Sequence, residues 1–89
     1  MENFKGGIIM TKTEREQCVN LMYNAIAYAK QADTESKAAL EAHLNNDAIM
    51  ENIELQLYQQ HIGLAEGIHD VLAALNFKHS DMDVLNKLL

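Results

Sequence analysis

From Cys18 to Leu44 small and apolar residues recur every three or four positions, and no proline or glycine breaks the phase. A run of that period and length is an amphipathic helix. It passes through Cys18, Leu21/Met22, Ala25, Tyr28/Ala29, Ala32, Ser36, Ala39/Leu40 and His43/Leu44. Thr13-Glu14-Arg15-Glu16 reads as a capping box, in which the hydroxyl and the carboxylate each satisfy a backbone N–H at the helix start. The first helix is therefore expected over about 13–44, with no break at Asp33-Thr34 required by the phase.

Asn45-Asn46-Asp47 is the natural turn. Asn tolerates the left-handed conformation that ends helices, and Asp is a good N-cap for the next one. A second stripe then runs through Met50, Ile53, Leu57, His61, Leu64, Ile68, Val71/Leu72 and Leu75. It predicts a helix over about 47–76, with Gly63 and Gly67 inside it as candidate points of close backbone approach. Ser80-Asp81-Met82-Asp83 resembles a further cap, and Met82, Leu85 and Leu88/Leu89 give a short helix over 81–89 one apolar face.

The fold class is all-α: a long antiparallel helical hairpin plus a short C-terminal helix, within a single helical domain over 10–89. The first helix offers Ala25, Ala29, Ala32 and Ala39 where the second offers Leu and Ile, and small opposite large lets two helices approach and still fill space. Two helices about 45 Å long at 1.5 Å per residue enclose little interior. A further stripe, Val19, Tyr23 and Ile26 on the first helix with Tyr58, Ile62, Ala65 and Leu72 on the second, lies about 100° from the seam. The C-terminal helix covers part of it. A second copy is expected on the remainder, giving a homodimeric four-helix-type bundle.

Residues 1–9 carry a different message. Lys5-Gly6-Gly7 back-translates to AAA-GGA-GGN, a strong bacterial ribosome-binding sequence, about seven nucleotides before the codon for Met10. The expectation is a translated leader, a start at Met10 and a low-GC bacterium, phage or plasmid as source.

The chain has 89 residues, a net charge of −6 and one arginine, Arg15. Its lysines are scattered, so it lacks the basic stripe through which proteins neutralise phosphates; direct nucleic-acid binding is not expected. An acidic surface suits a basic protein partner. No segment is apolar enough to span a membrane. Cys18 has no second cysteine to pair with, which fits a cytoplasmic location. It has no basic partner in sequence and reads as core filler, as do Met22, Met50 and Met82.

Two constellations bear on chemistry. His61 lies on the main seam, faced by Ala32, with Tyr28 and Ser36 about one turn to either side. Tyr28, Ser36 and His61 are candidate ligand residues, or a core histidine bonded to Tyr28 or Ser36. Glu66 and His69 have the Glu-x-x-His spacing of carboxylate-bridged metal bundles. Glu66, however, points roughly 160° from the seam at Leu64. No catalytic constellation and no cofactor motif is present. The leading expectation is a non-enzymatic protein that binds another protein, as a phage or mobile-element accessory or inhibitor does. The alternatives are an oligomeric metabolite or nucleotide binder near Tyr28/Ser36/His61, and a metal-binding bundle.

Overall fold

A computed structural model describes residues 10–89; the expected leader, 1–9, lies outside the described residues. The order is α1 (Lys12–Leu44), α2 (Ala48–Ala74) and α3 (Met82–Leu88), of 33, 27 and 7 residues. Among the described residues there is no strand. The long helices pack along each other, α3 lies on α1, and the molecule measures 62 × 18 × 17 Å.

α1 begins two residues earlier than the sequence pattern indicates. The cap is Thr11 and not Thr13: its hydroxyl accepts from the Glu14 N–H, and the Glu14 carboxylate accepts from the Thr11 N–H. Both Thr-x-x-Glu frames satisfy the same rule, and the earlier one adds a backbone bond from Arg15 N–H to the Thr11 carbonyl. Met10, just before the cap, packs on the core with its sulfur 3.9 Å from that of Cys18. α1 then runs unbroken past Asp33, whose carboxylate meets Lys37 one turn on.

The turn is built as expected. Asn46 adopts φ 59°, and the bonds Asp47 N–H to Ala42 C=O and Asn46 N–H to His43 C=O close a Schellman motif. The Asp47 carboxylate caps α2 through the Met50 N–H. α2 ends in the same way at Asn76, φ 55°, with Phe77 N–H bonded to the Leu72 carbonyl. Ser80 is not the cap of α3: that position is Asp81, whose side chain makes no cap bond to the helix.

The core joins Cys18, Met22, Ala25, Ile26 and Ala29 of α1 to Ala65 and Leu72 of α2, closed by Phe77 and Leu85. Met22, Leu72 and Leu85 are fully buried. Three of the residues expected on an oligomer stripe, Ile26, Ala65 and Leu72, therefore belong to the chain's own core. Val19 is half-buried against it, Tyr58 and Ile62 are half-buried on α2, and Tyr23 is exposed.

The correction on α2 is a rotation. The stripe expected to face α1 is largely outside: Met50, Ile53, Leu64 and Val71 are exposed, and Leu57, Ile68 and Leu75 are half-buried. The face turned inward is the one carrying Ala65 and Leu72. Small residues let two helices approach: where Ala25 and Ala29 of α1 join the core, α2 contributes the short Ala65, and a large side chain, Leu72, is enclosed only nearer the end of α2, where Met22, Phe77 and Leu85 make room for it. Near the turn, Leu40 and Leu44 are likewise exposed, while Ala39 and Ala42 are buried.

The left-handed Asn46 gives a direct test. Asn46→Ala places a Cβ-bearing residue without a locally bonding side chain at φ > 0 and is expected to cost about 1 kcal/mol, whereas Asn46→Gly should be neutral or slightly stabilising. Urea unfolding followed by circular dichroism measures both.

Candidate functional site

His61 and Glu35 form the most enclosed polar contact between the long helices. The Nδ1 of His61 lies 2.8 Å from both carboxylate oxygens of Glu35, with side chains 20% and 13% exposed. A carboxylate only accepts, so Nδ1 is the donor. The imidazole is stacked on Tyr28, ring centroids 5.9 Å apart and planes 12° from parallel. Tyr28 and Glu35 are seven residues apart, two turns along one face of α1, which brings both against the same ring.

Two of the three expected ligand residues thus meet. Tyr28 contributes a ring face and not a hydrogen bond. Ser36 is exposed and is not the partner of His61. The residue absent from the expected set is Glu35. Its signal was available: it shares the Tyr28 stripe and lies within one turn of Ala32, the residue judged to face His61. The register across the helices, His43 with Glu51 at 3.2 Å and Glu35 with His61, is displaced from a symmetric fold about Asn46.

Chemically the cluster is a satisfied ion-pairing or hydrogen-bonding contact with one imidazole nitrogen left over. A shallow groove of about 270 Å³ reaches Glu35 through Lys30, Gln31 and Thr34, without His61 or Tyr28 in its lining.

The Glu66/His69 pair is not drawn together around a centre. Glu66 is exposed, and the Nε2 of His69 lies 2.8 Å from the Asn86 side-chain oxygen of α3. His69 joins His79, Asn76, Asp83 and Asn86 around a polar hollow of about 350 Å³. Among the described residues no group of three or more His, Cys, Asp or Glu is placed to hold a metal ion.

The loop before α3 is bound tightly to α1. The Arg15 guanidinium donates to the Lys78 carbonyl at 2.8 Å and sits 5.0 Å over the Phe77 ring. The Tyr23 hydroxyl donates to the Asp81 carboxylate at 2.5 Å, and the Asp81 N–H donates to the Nδ1 of His79. The bond to Asp81 raises the Tyr23 pKa above its ordinary value, with desolvation and the Asp81 charge adding to it. Arg15, and Tyr23 of the expected oligomer stripe, fasten the loop before α3 to α1. No known family, curated protein or solved structure matches the chain, and among the described residues no helix is long and apolar enough to cross a membrane.

Two outcomes follow. His61→Leu leaves a nearly buried carboxylate without its donor and should cost about 1–3 kcal/mol, whereas the double replacement His61→Leu/Glu35→Leu should recover most of the loss, because removing both partners is close to neutral. Chemical denaturation of the three proteins tests this. For Tyr23 the folded pKa lies above the unfolded value near 10. Its bond to Asp81 is then fully present below about pH 10 and is lost as pH rises through the folded pKa. Tyrosinate absorbance should show Tyr23 titrating above the ordinary tyrosine value, and Asp81→Asn should bring it back toward that value.

Proposed function

We propose that the chain is a non-enzymatic, antiparallel helical hairpin that assembles with a copy of itself and acts by binding another protein. The observation that supports this most is the exposed apolar stripe of α2: Leu64 and Val71 are 43% and 51% exposed, although they belong to the most regular hydrophobic repeat in the chain. Residues of that kind on one face of a soluble helix mark a protein-interaction surface. The reading also rests on the charge balance. A net charge of −6, with exposed acidic residues in the turn half (Asp33, Glu41, Asp47), favours a basic surface on the foreign partner. An accessory or inhibitory role in a phage or mobile element fits a small acidic protein of this kind, and a cytoplasmic location fits its lone thiol.

A second reading, a small-ligand site at Tyr28 and His61, draws support from the stacked ring pair and the unused imidazole nitrogen. The two readings separate in one set of measurements. Tagged protein is incubated in a lysate of its native host at low and at high salt, and the purified protein is heated with a panel of nucleotides and metabolites. The expected result is one protein retained in stoichiometric amount at low salt and released at high salt, as exposed ionic contacts are screened. A stabilising ligand, whose effect disappears in His61→Leu/Glu35→Leu, with no protein retained above an unrelated acidic helical control, overturns the proposal in favour of the second reading.

A further inference from the structure

The exposed stripe on α2 has an order that the core face does not. The exposed Met50, Ile53, Leu64 and Val71, with the half-buried Leu57, fall on alternating three- and four-residue steps, and Gln60, Gly67 and Ala74 complete them. The eight positions form an unbroken a/d heptad seam across α2. The residues that pack on α1, Ala65 and Leu72, lie outside this seam. α2 therefore has two helix-packing faces, and α1 occupies one.

We propose that a second copy of this chain docks on this seam, α2 against α2 of the second copy, antiparallel and coextensive. The proposal rests on the reading that the chain self-associates, and it assigns the face. Three observations support a second copy as the occupant. The first is shape. In an antiparallel pair, positions of one kind face positions of the other, so Met50, Leu57, Leu64 and Val71 meet Ala74, Gly67, Gln60 and Ile53 of the second copy. Bulky residues face small ones in two of these four layers, and each layer occurs twice by symmetry, so one sequence supplies both the knob and the hole. A Cβ added at Gly63 or Gly67 meets nothing within 4 Å in the single chain. The space that these glycines leave is open to another molecule. Beside them, Leu21, Leu64 and Val71 border a groove of about 300 Å³.

The second observation is charge. No Lys, Arg, Asp or Glu occupies any of the eight seam positions, so two chains of net charge −6 meet where neither carries charge. A partner recruited by the acidic surface is not selected by this face. The third is area. A helix of 27 residues is about 40 Å long and about 10 Å across, so α2 alone offers on the order of 400 Å², and the Leu21 border of the adjoining groove on α1 extends the face toward the ~800 Å² per partner of a standard stable interface.

The test is sedimentation equilibrium with helix content measured in parallel, on the full chain and three variants. Leu64→Glu puts a charge in the seam. Leu55→Glu puts the same charge nine residues away, roughly on the opposite side of α2, at another exposed leucine. Gly67→Leu fills the open space with a residue that favours helix. The expected result is a dimeric wild type and Leu55→Glu, a monomeric helical Leu64→Glu, and at least a tenfold weaker dimer for Gly67→Leu. A monomeric wild type overturns self-association itself. A dimeric wild type whose dimer survives Leu64→Glu overturns only the assignment of this face. If Leu64→Glu does not fold, Gly67→Leu decides: an unchanged or tighter dimer rejects the seam.

Discussion

The close contact of alanines on α1 with the inner face of α2 governs the rest of this structure. Ala25, Ala29, Ala32 and Ala39 are all essentially buried, and Ala65, fully buried, shares the core with Ala25 and Ala29. Small residues permit near approach of two backbones, and near approach excludes large side chains from the line of contact. Beside Ala65, Leu64 and Ile68 are therefore displaced to the flanks of α2, and Leu72 is the one leucine of this helix that the core encloses. A contact made largely of alanine also buries little apolar area per residue, at ~25 cal/mol per Å². Large buried side chains are concentrated at the end remote from the turn, where Met22, Leu72, Phe77 and Leu85 converge.

That convergence explains why the short third helix matters out of proportion to its length. Seven residues have little helical stability of their own. α3 persists because Leu85 is fully buried in the core and because the preceding loop is fastened to α1 by Arg15 and Tyr23. Burial provides the main driving force, and the polar ties fix orientation. The Asp81 carboxylate illustrates the exchange: it gives up a cap bond to its own helix and accepts one from Tyr23 across the fold.

Toward the turn the logic reverses. The core thins to alanine, Leu40 and Leu44 are left outside, and polar cross-helix contacts take over at Glu35–His61 and His43–Glu51. The enclosed Glu35–His61 pair is better suited to fixing register than to adding stability, since desolvation offsets much of the attraction. Stacking of Tyr28 on the same ring shields one face of the contact from water. One end of the molecule is thus held by apolar packing and the other by directional bonds. The outward seam of α2 spans both.

Local rules alone determined the elements of this protein. Helical period, two asparagines that accept a left-handed turn, and Asp47 as a cap defined three helices and their joints nearly to the residue, because each signal acts over a few neighbouring positions. Where two Thr-x-x-Glu frames overlapped, the local rule was degenerate, and the start moved from Thr13 to Thr11. Tyr28 and His61 were legible as neighbours for the same reason, being a turn apart in the expected pairing. What tertiary structure decided was rotation. Ile26, Ala65 and Leu72 belong to the core, Leu64 and Val71 to the surface, and Glu35, not Ser36, meets His61. Periodicity states that a helix has an apolar side, but a rotation of about 100°, the angle between adjacent residues, exchanges one candidate side for another. Which side turns inward depends on how near the backbones come, and side chains remote in sequence set that distance.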